Sequence, residues 1–283
     1  MSFLVNPYMF TSGLYANTYS MLMTRTTTSA NVDRLYLTAQ TNDIQTLIQS
    51  GNPRITISTW IKFSAGTDGT TMSFMSKYED FSGRDRALIL WRQADNTLSV
   101  YGQRDSSNQT LYIYTSGTTY TNSSGWFHFA FVYDSTKTTR ETIAKMYING
   151  VENVFVGTVS TTNKFFMNAS AANRGAVTLG CRYGGGSPGT KIEGTGANYD
   201  DTTFWNNALS AAEILELYNS GKAKNISTMT AYTNNCKAWY RMGDDPTDNW
   251  NASTWLIHNV KNAASTDLVS QNMVEADRVT DVY

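Results

Sequence analysis

The stretch Trp126-Phe127-His128-Phe129-Ala130-Phe131-Val132-Tyr133-Asp134 decides the fold class. Its period is two. Phe127, Phe129, Phe131 and Tyr133 fall on one side of an extended chain, and His128, Ala130 and Val132 fall on the other. Upstream, Ile55-Thr56-Ile57-Ser58-Thr59-Trp60-Ile61-Lys62-Phe63 repeats the pattern, with Ile55, Ile57, Thr59, Ile61 and Phe63 on one face. Working outward, the same rule places strands near 19–23, 34–38, 71–78, 87–91, 98–101, 111–115, 145–148, 152–158, 177–182, 202–205 and 238–242. Turn residues separate them: Asp68-Gly69, Asp95-Asn96, Ser116-Gly117, Asn149-Gly150 and Gly184-Gly185-Gly186. Asn149-Gly150 tolerates the positive φ of a type I′ turn, so Tyr147-Ile148 and Val151-Glu152 are expected to form a hairpin. Many short strands without alternating helices make an all-β sandwich or barrel.

One segment departs from this period. Ser210-Ala211-Ala212-Glu213 is a capping box, with Ser210 as N-cap and Glu213 reaching back. Ile214, Leu215, Leu217 and Tyr218 then cluster on one side of a short helix near 210–220. Gly221 suits the position after its end, and Lys222 and Lys224 suit its negative pole. The chain divides into an N-terminal arm (1–18), a sandwich (19–248) and an irregular, polar C-terminal segment packed on it (249–283).

Composition removes several function classes. The 283 residues carry a net charge of −1, and only 16% are charged. That leaves no electrostatic footprint for nucleic acid or for an anionic membrane surface. The 39 Thr, 26 Ser and 25 Asn supply neutral polar surface, and the 13% aromatics supply a core, the reverse of a disordered chain. No apolar run reaches the roughly 18 residues of a membrane helix. The start, Met1 to Phe10, lacks a basic region and carries Pro7, so no secretory leader is expected. Cys181 and Cys236 are expected as two separate buried thiols rather than a disulfide framework. Five N-x-S/T sequons, at Asn108, Asn122, Asn168, Asn225 and Asn251, are about what this composition produces by chance.

Five pieces, in order, resemble the concanavalin A-like, laminin-G-type jelly-roll superfamily. They are Ile55–Ile61, Trp126–Asp134, the hairpin Lys145–Gly150, Val177–Gly180, and the run from Asp200 through the helix start at Ile214. The resemblance implies an antiparallel β-sandwich jelly roll over most of the chain. It departs from the family near Thr24–Arg34, where the usual early F-D-G turn is replaced. Ala238-Trp239-Tyr240-Arg241-Met242-Gly243-Asp244 and the close from Val274 to Tyr283 are similar to jelly-roll proteins of tailed bacteriophages, as is the start from Met1 to Phe10. That similarity implies a non-catalytic virion structural protein, a capsid decoration or external appendage assembled in the host cytoplasm. Its expected partners are other virion proteins, including copies of itself, and host-surface glycans. The alternative is a carbohydrate- or receptor-binding module of a tail fibre.

Candidate site chemistry is sparse. A glucanase needs two carboxylates flanking the bond, about 5–5.5 Å apart when it retains configuration. No E-x-D-x-E set occurs; Glu213 and Glu216 lie on the helix, and Glu275-Ala276-Asp277 stands without a second Glu. His128 and His258 lack nucleophile partners, and the two His and two Cys are too scattered for zinc. The glycine-rich stretch 184–196 lacks the Gly-Lys-Ser/Thr of a phosphate loop and reads as a rim loop. Some laminin-G-type domains bind Ca²⁺ at the rim, so Asp200 and Asp201, with Asn198 nearby, are the calcium candidates. The competing reading has these carboxylates capping backbone amides. Tyr183 and Tyr199, beside Asn198, are the candidates for stacking on a sugar ring at one rim.

Overall fold

The computed structural model describes residues 15–25, 31–38, 43–48, 51–78, 86–103, 109–164, 166, 176–184, 191–261 and 266–283. The N-terminal arm falls mostly outside these residues, as do parts of the early turn and of the glycine-rich loop. Among the described residues the strands are β1 (Ser20–Met23), β2 (Arg34–Leu37), β3 (Arg54–Phe63), β4 (Met72–Tyr78), β5 (Arg86–Arg92), β6 (Leu98–Gln103), β7 (Gln109–Thr115), β8 (Phe127–Asp134), β9 (Ala144–Ile148), β10 (Val151–Asn153), β11 (Phe155–Val159), β12 (Val177–Leu179), β13 (Arg182–Tyr183), β14 (Lys191–Ile192), β15 (Ala197–Trp205), β16 (Cys236–Tyr240), β17 (Asn249–Asn251), β18 (Thr254–Ile257), β19 (Leu268–Gln271) and β20 (Arg278–Val279). The helices are α1 (Asp43–Ile48), α2 (Arg140–Ile143), α3 (Ala211–Tyr218) and α4 (Tyr232–Asn235).

Two large antiparallel sheets form the sandwich. One has eight strands, ordered β10-β9-β8-β3-β15-β1-β20, with β16 also paired to β15. The other has ten, ordered β11-β7-β6-β5-β4-β12-β2-β19-β18-β17. The alternation of the sequence builds the layer between them. Ile55, Ile57, Ile61 and Phe63 of β3 and Phe127, Phe129, Phe131 and Tyr133 of β8 meet Leu88, Leu90, Val100, Leu111 and Ile113 of the other sheet. Phe129 sits edge-on to Phe74 across the core, with centroids 5.3 Å apart. Each such ring pair adds roughly 0.5–1.5 kcal/mol beyond its burial.

The outer face of the eight-stranded sheet is covered too. Ala130, Val132, Tyr147, Trp205 and Trp239 pack against Leu209, Ile214, Leu217 and Ile226 from α3 and the chain after it. His128 belongs to this covered face. The expected caps of α3 are present: Glu213 N–H donates to Ser210 Oγ, and Ser210 N–H donates to Glu213 Oε2. The helix stops earlier than the glycine suggested. Asn219 takes the left-handed conformation (φ 47°, ψ 40°) and its side-chain amide donates to the carbonyls of Lys222 and Ala223. Asn is the residue other than Gly that adopts this region most readily. The Asn149-Gly150 hairpin has φ of 51° and 77°, as a type I′ turn requires.

The segment 249–283 is not irregular. β17, β18 and β19 extend the ten-stranded sheet beyond β2, and β20 pairs β1 in the other sheet. Within the glycine-rich region, Arg182–Tyr183 and Lys191–Ile192 pair as a small hairpin. Cys181 and Cys236 are both free and buried.

Candidate functional site

With both faces of the eight-stranded sheet covered, the half-exposed rings among the described residues gather on the outer side of the ten-stranded sheet. Its strands place aliphatic residues inward and aromatic residues outward. In β7, Leu111 and Ile113 enter the core while Tyr112 and Tyr114 point out. In β5 and β6, Leu90 and Val100 go in while Trp91 and Tyr101 point out. The ladder aligns one cross-strand row: Tyr112 faces Tyr101, Tyr101 faces Ile89, Ile89 faces Ser76, Ser76 faces Thr178, and Thr178 faces Tyr36.

Tyr101 is the hub of the aromatic half. Its centroid lies 6.2 Å from those of Tyr78, Trp91 and Tyr112. Tyr114 lies 5.7 Å from Tyr112. Trp91, Tyr101, Tyr112 and Tyr114 are all half-buried, so each ring is braced by a neighbour and keeps exposed surface. Gln93 Nε2 donates to Ser99 Oγ at 2.8 Å and to the Tyr112 hydroxyl at 3.3 Å. Burial, helped by Tyr114 and Asp95, raises the Tyr112 hydroxyl above its ordinary value, so it remains a neutral donor and acceptor.

The β13–β14 hairpin lies against β4 and divides this face. On one side Arg182 donates to both oxygens of Glu193 at 2.7 Å and stacks 5.3 Å over Tyr78. On the other, Arg34 stacks over Tyr36 at 4.2 Å and Tyr183 at 5.1 Å. A band of rings and guanidinium groups therefore crosses the sheet.

The residues singled out from sequence do not converge. Tyr199 is fully buried in the core, where its hydroxyl donates to the Phe74 carbonyl at 3.2 Å. It offers no ring face to a sugar. Asn198, its neighbour in the strand, points to the opposite side and donates to Ser20 Oγ at 3.2 Å. Tyr183 belongs to the far sheet's outer face and is itself mostly buried against Arg34.

Asp200 and Asp201 sit at a bulge in β15, where the register against β3 shifts before Thr203. The extra residue lets two consecutive carboxylates share the outer side, with Asp201 at φ 37°. Asp200 Oδ1 accepts the Asp201 N–H at 2.8 Å, and Oδ2 accepts from Asn17 at 2.8 Å. Asp201 Oδ1 accepts from Trp239 Nε1 at 2.6 Å, and Oδ2 from the Tyr283 hydroxyl at 2.5 Å. All four oxygens are turned to protein donors. Burial is the main cause raising both carboxyls, Asp200 well above its usual range. Calcium needs six to eight oxygens, and among the described residues no three His, Cys, Asp or Glu side chains converge on a metal position. The pair does not fit a calcium site. The oxygens are taken by one backbone N–H and three side-chain donors, so the pair ties strand, tail and N-terminal segment together more than it caps backbone amides.

Two cavities lie on this covered side. A 10 Å³ cavity, room for about one water, is lined by Ser58, Trp60, His128, Asp201, Thr203 and Lys224. Burial pushes His128 down to about 3, and its Nδ1 has no hydrogen-bond partner, so it stays a neutral imidazole. A cleft of about 210 Å³ lies between Thr18, Tyr19, Arg241, Asp244, Asp248 and Arg278. Its groups are engaged in closing the chain: both Asp244 oxygens accept the Thr18 N–H, at 3.1 and 3.0 Å, and Arg241 donates to the Ala16 carbonyl.

Sequence reasoning missed Trp91, Tyr101, Tyr112 and Tyr114. The signal was present as aliphatic and aromatic residues taking alternate positions, clearest in Leu111-Tyr112-Ile113-Tyr114.

Comparison with known proteins supports the fold. No curated protein matches the sequence. A candidate carbohydrate-binding protein from Bacteroides ovatus is similar in structure, with a TM-score of 0.56 and 13% identity over 90% of this chain. The match spans 58% of the length of that protein. The CBM40 module of the Ruminococcus gnavus IT-sialidase, solved with α2,3-sialyllactose, gives a TM-score of 0.50 and 14% identity, covering 72% of this chain and 97% of that one. The family model described as the concanavalin A-like lectin/glucanases superfamily matches residues 35–215. With that model spanning more than half of its length, the chain belongs to the concanavalin A-like lectin/glucanases superfamily.

Proposed function

We propose that the chain is a non-catalytic, lectin-like binding module of a bacteriophage virion, which holds glycan on the outer face of its ten-stranded sheet. The observation that carries the binding reading is the braced, half-exposed group of Trp91, Tyr101, Tyr112 and Tyr114 on the outer side of the ten-stranded sheet. Sugar rings present apolar faces that stack on aromatics, and rigid rings lose little entropy on binding. Tyr hydroxyls and the half-buried Gln93 supply hydrogen-bond partners without charge. The carboxylates that could act in acid–base chemistry on the other side are sequestered against protein donors, which supports binding over hydrolysis.

The virion assignment rests on the similarity of 238–244 and 274–283 to phage jelly-roll proteins. Contacts with neighbouring virion subunits, including copies of this chain, fit the exposed Val151, Val154 and Leu215 at the corner where the two sheets meet. Glycan-array binding by the full chain tests the first half. Binding that Trp91→Ala and Tyr101→Ala both abolish, with melting temperature kept, is expected. Absence of any glycan binding overturns it. Mass spectrometry of purified particles tests the second half, and absence of the chain from them overturns it.

A further inference from the structure

We propose that the part of this face around Arg34 and Lys191 is an anion subsite, taking the carboxylate or sulfate of an acidic sugar. The inference rests on the glycan-binding reading and narrows its ligand class.

Arg34 is 6% exposed, yet none of its partners is an anion. Its Nε donates to Gln271 Oε1 at 2.9 Å, Nη2 donates to the same oxygen, and Nη1 donates to the Tyr183 hydroxyl. Its plane rests on the rings of Tyr36 and Tyr183. A guanidinium has five N–H donors, so one N–H on each terminal nitrogen is left over. Among the described residues, no carboxylate lies within ion-pair distance of it.

Lys191 is the second cation. It stands directly opposite Tyr183 in the β13–β14 ladder, so both side chains leave the same side of the hairpin. That side is where Tyr183 meets Arg34. Glu193, the nearest acid along the chain, is held bidentately by Arg182. Cys181 cannot act as counter-charge, because burial pushes its thiol up to about 12. Desolvation and the mutual repulsion of the two cations lower Lys191 from its usual value. Two positive charges thus lie together and, among the described residues, neither is ion-paired, in a protein whose net charge is −1.

A desolvated cation without a counter-ion is costly to keep. An oxyanion would relieve both charges and meet the left-over N–H groups, and the half-buried Tyr36 ring would take the sugar beside it. Arg rather than Lys at the inner position suits a forked oxyanion contact.

The test is a binding titration of the full chain against matched oligosaccharides: a neutral parent, its uronic- or sialic-acid form, and its sulfated form. An acidic form should bind at least tenfold more tightly than its parent. The uronic- and sialic-acid arm against the sulfate arm then distinguishes carboxylate from sulfate. Lys191→Gln and Arg34→Gln should erase that preference, whereas Trp91→Ala should abolish binding of acidic and neutral forms alike. Should Arg34→Gln misfold, the half-buried Lys191→Gln decides alone. Equal affinity for parent and acidic forms overturns the anion subsite and leaves the glycan reading intact. An acidic preference that survives Lys191→Gln also overturns it. No binding to any member overturns both.

Discussion

Gly157 offers a sharp test of how the aromatic face is held. It lies in the edge strand β11, opposite Ile113 of β7 and one position from the pair Thr158–Tyr112. Its φ is +117°, and a Cβ there would come within 2.1 Å of the Tyr112 carbonyl oxygen and 3.1 Å of Ile113 Cα. Both are backbone atoms of the strand that carries the platform, so no side chain can swing away. Gly157→Ala therefore adds backbone strain of about 1–3 kcal/mol. It also forces the strands apart, which removes ladder hydrogen bonds near 1 kcal/mol each. Undocking β11 exposes Phe155 and Val159, roughly 1.5–3 kcal/mol apiece, which caps the total. The expected loss is about 3–5 kcal/mol. Gly117→Ala is the control: its φ is +71° but nothing lies within 4 Å of the added Cβ. It should cost only about 1–2 kcal/mol, the left-handed penalty alone. Equilibrium urea unfolding of the two variants gives both numbers, and amide exchange should show the extra loss concentrated at 155–159. If Gly157→Ala costs no more than Gly117→Ala, the steric reasoning about β11 and β7 is wrong.

The other expectations concern the covered side. Trp239→Phe keeps an aromatic side chain but removes the indole donor to Asp201, which should lower stability by about 1–3 kcal/mol. In a double-mutant cycle with Asp201→Asn, a coupling near zero would refute the bond's contribution. Ser210→Ala should cost about 1 kcal/mol through the α3 cap, and a denaturation midpoint indistinguishable from the parent would refute the cap. Burial raises the Asp248 carboxyl to about 7 and that of Asp33 to about 6. The folded chain then holds protons that the unfolded chain releases near 4, so stability should fall as pH rises from about 4 to 7. Asp248 alone accounts for at most about 4 kcal/mol of that fall. Asp248→Asn should flatten the profile, and a stability that instead climbs steadily across this window would contradict the sign.

The sheets were legible because their inward residues are aliphatic or aromatic in strict alternation, as in Ile55 to Phe63 and Phe127 to Tyr133. The cap at Ser210 and the turn at Asn149-Gly150 were legible because they are local. What covers a face is not local. Trp60 and Trp91 both occupy outward positions in strands. Trp60 is buried because Tyr283 stacks on it at 3.8 Å and Tyr218 lies beside it at 5.6 Å, from segments more than 150 residues away. Trp91 stays half-exposed, with Tyr101 of the next strand as its ring neighbour among the described residues. The tail strands escaped notice because three or four residues, as in Asn249–Asn251, are too few to establish a period. The adjacent Asp200 and Asp201 suggested metal ligation, but the bulge that aims both to one side is a tertiary feature, and their donors come from Asn17, Trp239 and Tyr283.

The division of labour between the two sheets follows from where the chain's ends go. Residues 15–20 and 278–283 are fastened to the eight-stranded sheet by side chains: Thr18 to Asp244, Asn17 to Asp200, Tyr283 to Asp201, and Asp281 to Lys62 at 2.6 Å and Trp126 at 3.0 Å. The segments 238–244 and 274–283 therefore use their polar groups to close the fold. A ligand on that side would have to displace the chain's own bonds, several of them to buried carboxylates. On the ten-stranded sheet the aromatic groups are braced and half-exposed, and among the described residues Arg34 and Lys191 have no ion-pair partner. Recognition by that face would need no rearrangement of the scaffold, so substitutions of its half-exposed side chains should change binding with little change in stability, and substitutions at the fastened ends should do the reverse.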